Sequence, residues 1–145
     1  MIAISFPEPV FRFKKESNVE FIFDAIRKQW IMLNEEEWVR QNFIQYLIQT
    51  LHYPSAFIAV EKEIMLGELK KRFDVLVYDK DHKPWMMIEC KAPAITLNDT
   101  VLQQVLRYNI SVPVSFLIIT SGHNTYGWEK SGLELNLIQQ MPLWK

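Results

Sequence analysis

The sequence predicts an α/β fold in which a mixed β-sheet is flanked by helices, and three observations predict it. Asn34-Glu35-Glu36-Glu37 has the spacing of a helix-capping box and precedes apolar residues at helical spacing from Trp38 to Leu51. Two apolar, strand-like runs, Leu69 to Asp79 and Pro84 to Lys91, flank a polar four-residue turn, which is the pattern of a hairpin. A second helical stretch then separates that hairpin from Val114 to Thr120, a β-rich apolar run with the composition of a strand buried on both faces. Hairpins supply antiparallel pairs and the intervening helix supplies a crossover, so the sheet is expected to be mixed.

Taken in order, Ser17-Asn18-Val19-Glu20 also has capping-box spacing and predicts a short amphipathic helix to about Lys28. The clearest helix runs from about Glu35 to Leu51, where Trp38, Val39, Phe43, Ile44, Leu47 and Ile48 share one side; Pro54 closes it off. Strands are expected at Phe57 to Ile64 and at the two arms of the hairpin. Asn98 caps a helix from Asp99 to Asn109, and the tail from Thr125 to Trp144 adds one or two short strands. Leu143 and Trp144 end that tail as an apolar patch that could pair two copies.

Bulk properties narrow the function. A length of 145 residues, with 49% apolar and 13% aromatic side chains, is enough for one domain spanning the chain and excludes a disordered one. The single cysteine, Cys90, cannot form an internal disulfide, and no Cys/His spacing suggests structural zinc. His52, His82 and His123 lie too far apart to form a ligand motif. The N-terminus lacks a secretory pattern, and no run approaches the ~18 apolar residues of a membrane span. A cytoplasmic, reducing setting is therefore expected. A net charge of −1 excludes attachment to nucleic acid by bulk electrostatics. Any such contact must come from local runs, such as Lys70-Lys71-Arg72 or Arg12, Lys14 and Lys15, and runs this short are more often solvated surface.

The hairpin carries the chemistry. If Asp79 faces Pro84 across the turn, pairing inward at constant index sum brings Asp74 opposite Glu89. Strand alternation then puts Lys91 on the same face and turns Cys90 to the other. Two opposed carboxylates repel, and burying them costs more unless a cation or a proton compensates. A hard divalent ion such as Mg²⁺, with Mn²⁺ as a substitute, resolves that conflict through oxygen ligands while keeping room for substrate phosphates. The ordinary alternative is an exposed Asp and Glu neutralised by a lysine.

Asp74, a hairpin, then Glu89-Cys90-Lys91 resembles the PD-(D/E)xK nuclease signature. The likeness extends to the nuclease domain at the N-terminus of type I restriction enzyme R subunits. It is carried by Glu36-Glu37-Trp38-Val39-Arg40-Gln41, Ala59-Val60-Glu61-Lys62-Glu63, Lys71-Arg72-Phe73-Asp74, Ile88-Glu89-Cys90-Lys91-Ala92-Pro93 and Gln104-Val105-Leu106-Arg107-Tyr108-Asn109. It implies a restriction-endonuclease-like core and a metal-dependent endonuclease acting on DNA. Asp74, Glu89 and the backbone carbonyl of Cys90 would hold the metal, Lys91 would be the catalytic lysine, and Glu37 would be the helix acid. Gln104 and Tyr108, four apart on one helix face, resemble the element that supports the site and contacts DNA. Arg40 reads either as a phosphate contact or as the partner of Glu36 or Glu37.

Phe73 stands where the signature's name has proline, and no helicase motor lies within these residues. Translocation and specificity would have to come from a helicase or specificity subunit. A silent, nuclease-fold DNA-binding or docking subunit of a larger assembly is the alternative function.

Overall fold

The computed structural model describes all 145 residues and places them in two sheets and two α-helices. The larger sheet has six strands in the order β4-β5-β6-β7-β8-β9. These are β4 Ile58–Leu66, β5 Leu69–Tyr78, β6 Pro84–Cys90, β7 Phe116–Thr120, β8 Thr125–Ser131 and β9 Glu134–Ile138. All neighbours are antiparallel except β6 and β7. That parallel pair is joined through helix α2, Asp99–Asn109, as the mixed-sheet expectation required. All five residues of β7 are buried, in keeping with its apolar run.

Helix α1, Glu35–Gln45, begins where Asn34 accepts the Glu37 N–H, then loosens into a π-helical turn over Tyr46–Thr50. It covers one face of the sheet, where Val39, Phe43 and Ile44 meet Val75, Val77, Met86, Ile88 and Cys90. Helix α2 covers the other, where Leu102 and Leu106 meet Phe73, Leu76, Met87, Leu117 and Ile119. Asn98 caps α2 by accepting the Val101 N–H.

Three expectations are corrected. The stretch from Ser17 to Lys28 is not helical. It forms part of a three-stranded antiparallel sheet, β1 Phe13–Glu16, β2 Val19–Asp24 and β3 Gln29–Met32. Ser17 and Asn18, which carry the capping pattern, instead take φ of 51° and 66°, the two positive values of a tight hairpin turn. Val-Glu-Phe-Ile-Phe-Asp then alternates with period two, burying Ile22 and Asp24 completely. Secondly, Tyr78 rather than Asp79 pairs with Pro84. The Asp79 carboxylate closes the turn by accepting the Asp81 and Lys83 N–H groups, and an irregularity absorbs one residue of β6. The expected register resumes at Val77–Met86 and continues to Val75–Ile88. Thirdly, the C-terminal tail is partly docked: Trp144 packs 5.1 Å from Phe57 and donates to the Tyr78 carbonyl, while Leu143 stays exposed.

Candidate active site

The inner end of the β5–β6 hairpin is where regular structure gives way. By alternation Phe73 and Val75 should share a face, yet Val75 lies in the core under α1 and Phe73 in the core under α2. Asp74 sits at that switch. Its Oδ2 accepts the Cys90 N–H at 2.8 Å, so a carboxylate replaces a backbone carbonyl where the β5–β6 ladder ends at Val75–Ile88, and Asp74 and Glu89 are not a ladder pair. On β4 the matching irregularity falls at Glu61, which drops out of the pairing between Val60–Val75 and Lys62–Phe73 and has φ of 51°. A left-handed glutamate costs on the order of 1 kcal/mol and persists only where its surroundings hold it. Here Arg27, Arg40 and Arg72 reach its carboxylate at 3.3, 3.2 and 3.0 Å.

Arg40 is the hub of the α1 side. Its side chain is 5% exposed and it reaches Glu37 at 3.2 Å, Glu61 at 3.2 Å and Asp74 at 3.3 Å, with Glu36 further off at 3.8 Å. Sharing one guanidinium among these acids leaves its buried Nε without a partner. Glu37 is consumed by the same network: Arg27 and Gln41 both donate to its Oε2 while Arg40 donates to its Oε1. Glu36, one residue earlier, is exposed and only loosely held. Burial and then the Asp74 charge push the Glu36 carboxyl above its ordinary value. The helix acid that senses Asp74 without being tied up in structure is thus Glu36.

On the α2 side, Glu89 and Lys91 line an open cleft of about 340 Å³ with Arg72, Gln104, Val105, Tyr108 and Asn109. Glu89 is the most perturbed carboxylate of the site. Burial first, and then the Asp74 charge, raise it to about 7, against which Lys91 at 3.5 Å only partly compensates. Asp74 is also raised, by burial, with the Cys90 N–H, Arg40 and Lys91 opposing. Burial keeps the Cys90 thiol neutral, far above its usual range. Burial and mutual repulsion thus leave both carboxyls raised although Lys91 lies beside one and Arg40 beside the other.

No three acidic, His or Cys side chains converge tightly enough to form a ligand cluster by themselves. Mg²⁺ does not need one, because it binds through one or two carboxylates and completes its shell with waters and substrate phosphates. Asp74 and Glu89 fit that pattern, and each ionised carboxylate has more lone-pair sites than its present partners use.

The structure thus forms two groups, Glu89, Lys91, Gln104 and Tyr108 around the cleft under α2 and Asp74 with Arg40 and Glu37 on the α1 side, linked where the Asp74 carboxylate accepts the N–H of Cys90, next to Glu89. The basic run Lys70-Lys71-Arg72 is not one solvated patch. Lys71 is buried, donating to the Tyr108 carbonyl and lying 4.2 Å over its ring, while Lys70 and Arg72 are exposed and pair with Glu63 and Glu61. Sequence reasoning gave no role to Arg27 or Glu61. Arg27 carried no signal because its segment read as helix, whereas Glu61, a charge interrupting the alternation of β4, was a visible one.

The six-stranded mixed sheet with a helix on each face has a counterpart among solved structures. A fragment assigned as an HsdR subunit of a type I restriction enzyme from Vibrio vulnificus superposes with a TM-score of 0.53 at 18% identity; the match covers 76% of this chain and 24% of that one. Residues 35–142 match the family model described as the type I restriction enzyme R protein N terminus, and the chain belongs to that family. No curated protein matches it. No helix is long and apolar enough to cross a membrane.

Proposed function

We propose that this chain is a metal-dependent endonuclease domain that hydrolyses DNA phosphodiester bonds, with its chemistry at Asp74, Glu89 and Lys91. The observation that carries the reading is the end of the hairpin itself, where the Asp74 carboxylate takes the Cys90 N–H at 2.8 Å and Lys91 lies 3.5 Å from Glu89 in a cleft lined also by Gln104 and Tyr108. Asp74, Glu89 and the Cys90 carbonyl would hold Mg²⁺, or Mn²⁺ in its place, and the ion when bound would supply an activated water and neutralise charge at phosphorus. Lys91 Nζ, beside Glu89, meets the negative charge that develops on the phosphate oxygens. Gln104 and Tyr108 on the opposite wall of the cleft orient the strand, with the exposed Tyr108 ring as a contact for sugar or base. Glu36 is the better-placed helix acid, while Glu37 and Arg40 fix the orientation of Asp74.

The second reading is a silent subunit of the same fold that binds DNA or docks on a helicase or specificity subunit. Arg40 favours it, because its guanidinium already gives Asp74 a countercharge. Plasmid nicking assayed with Mg²⁺ and with Mn²⁺ separates the two. Cleavage by the parent chain, lost on Lys91→Ala or Asp74→Ala with folding intact, supports the enzyme. A folded parent chain that cleaves nothing with either ion, and whose melting temperature ignores both, refutes it.

A further inference from the structure

The small N-terminal sheet lies outside the residues matched by the family model and has one face the site does not use. One side is structural, since Ile22 and Asp24 are completely buried. Register places the other side chains in two rows: Lys14, Phe21 and Met32 across the three strands, then Arg12, Phe23 and Trp30, with the Phe23 N–H donating to the Arg12 carbonyl at 2.9 Å. Cations and rings interleave there. The Arg12 guanidinium lies 4.8 Å from the Phe23 ring and 5.4 Å from Trp30, and Lys14 Nζ lies 4.9 Å from Trp30 and 5.5 Å from Phe21. Arg12 and Met32 are exposed, and the half-buried rings, with Phe23 and Trp30 meeting edge to face, carry the two cations over their faces, from which phosphates would draw them. Glu16, in the next row opposite Val19, lies 3.1 Å from Lys14, and an exposed pair of that kind holds its cation weakly.

We infer that this face is a binding platform for single-stranded nucleic acid, with bases stacking on the Phe21, Phe23 and Trp30 rings and phosphates meeting Arg12 and Lys14. Flat rings interleaved with cations complement a polyanion whose base faces are open, whereas a duplex keeps those faces inside its own stack. The platform also adjoins the candidate site. The β2–β3 turn that closes it carries Arg27, which contacts Glu37 and Glu61 in the network ending at Asp74. The choice of polymer rests on the nuclease reading; the stacking geometry does not.

The test uses the full chain carrying Lys91→Ala, in a chelating buffer so that nothing is cut. Fluorescence anisotropy follows a labelled oligothymidylate of about 15 nucleotides, an oligouridylate, and a duplex of equal length. Either single strand should bind roughly tenfold or more tightly than the duplex. Adding R12Q and K14Q together should weaken single-strand binding about tenfold and flatten the salt slope by about 1.4, the share of two phosphate contacts. Adding Trp30→Ala should weaken binding by a similar factor with little change in slope, because it removes a stacking ring and no charge. Equal affinity for duplex and single strands, or unchanged binding and salt slope in the folded R12Q/K14Q chain, overturns the inference. The glutamine pair keeps the strand packing and decides the matter even if Trp30→Ala unfolds the small sheet. Cleavage is measured in parallel on the parent chain. Cleavage without platform-dependent binding sinks this inference alone, and platform-dependent binding without cleavage sinks the nuclease reading alone.

Discussion

Asp24 and Asp74 are both aspartates largely withdrawn from water, and both are tied to the same Glu37–Glu61 network, yet their surroundings treat them in opposite ways. Asp24 receives the N–H groups of Ile26 and Arg27, the Arg27 Nε and the Gln41 amide, all within 2.9 Å. Burial pushes its carboxyl up, but these donors outweigh burial and hold it below its ordinary value. Asp74 has one backbone donor and a share in Arg40, which serves three other acids, and ends above its ordinary value. Burial alone therefore does not explain the difference; the supply of donors does. The first aspartate is furnished for holding the β2–β3 turn to α1, and the second is left with fewer donors than its burial calls for.

The largest expected effect comes from removing what both groups share. Arg40→Met takes the cation from Glu37, Glu61 and Asp74 at once and leaves buried acids unpaired, which should cost about 3–5 kcal/mol in urea unfolding. A loss below about 1 kcal/mol would show that the network is a loose surface cluster and would break the comparison. Asp24→Asn comes next. It deletes the charge that several donors address, for an expected loss of about 1–3 kcal/mol at neutral pH. Because the folded carboxyl of Asp24 lies below its unfolded value, its contribution is present above the unfolded value and vanishes as pH falls through the folded one. The asparagine variant should therefore show a flatter acid limb than the parent.

Glu89→Gln should act with the opposite sign. With the carboxyl of Glu89 raised from 4.5 to about 7, the folded metal-free protein retains a proton that the unfolded chain has lost. Its contribution is fully present below pH 4.5 and is lost as pH rises through about 7. Above that, glutamine removes a charge pressed against Asp74, and we expect a gain of about 1–2 kcal/mol at pH 8, after discounting for the open side of the cleft. Divalent ion should stabilise the parent and leave Glu89→Gln unmoved, because only a ligand that binds the native state shifts its melting point. A destabilised, ion-insensitive glutamine variant beside an ion-insensitive parent would make Glu89 one more structural acid.

These contrasts also explain what could be read without coordinates. The hairpin, both helix caps and the crossover were legible because each depends on residues close in sequence: Asn34 to Glu37, Asn98 to Val101, Val77 to Met86 across one turn. The same locality misled at Ser17-Asn18, where a capping pattern and a tight hairpin turn call for the same residue types. Only the alternation from Val19 to Asp24 distinguishes them. Arg40, Glu61 and Arg27 meet through three elements far apart in sequence, so no local pattern could announce that Asp74 would be given a guanidinium as well as a carboxylate neighbour.

The smallest expected effect separates two adjacent residues on α1. Glu37 is buried with both oxygens bonded, so Glu37→Gln disturbs Arg27 and Arg40 together and should cost about 1–3 kcal/mol. Glu36 is exposed, and Glu36→Gln should leave stability within about 0.5 kcal/mol of the parent. Yet the Glu36 charge is among those raising Glu89, so its removal should shift the Glu89 titration toward lower pH. It should also weaken the stabilisation by Mg²⁺, since the ion loses one nearby negative charge. Both readouts come from one series of thermal melts across pH, with and without the ion. If instead Glu36→Gln changes neither the titration nor the ion response, the helix contributes no acid to the site, and the raised carboxyl of Glu89 reflects burial and Asp74 alone.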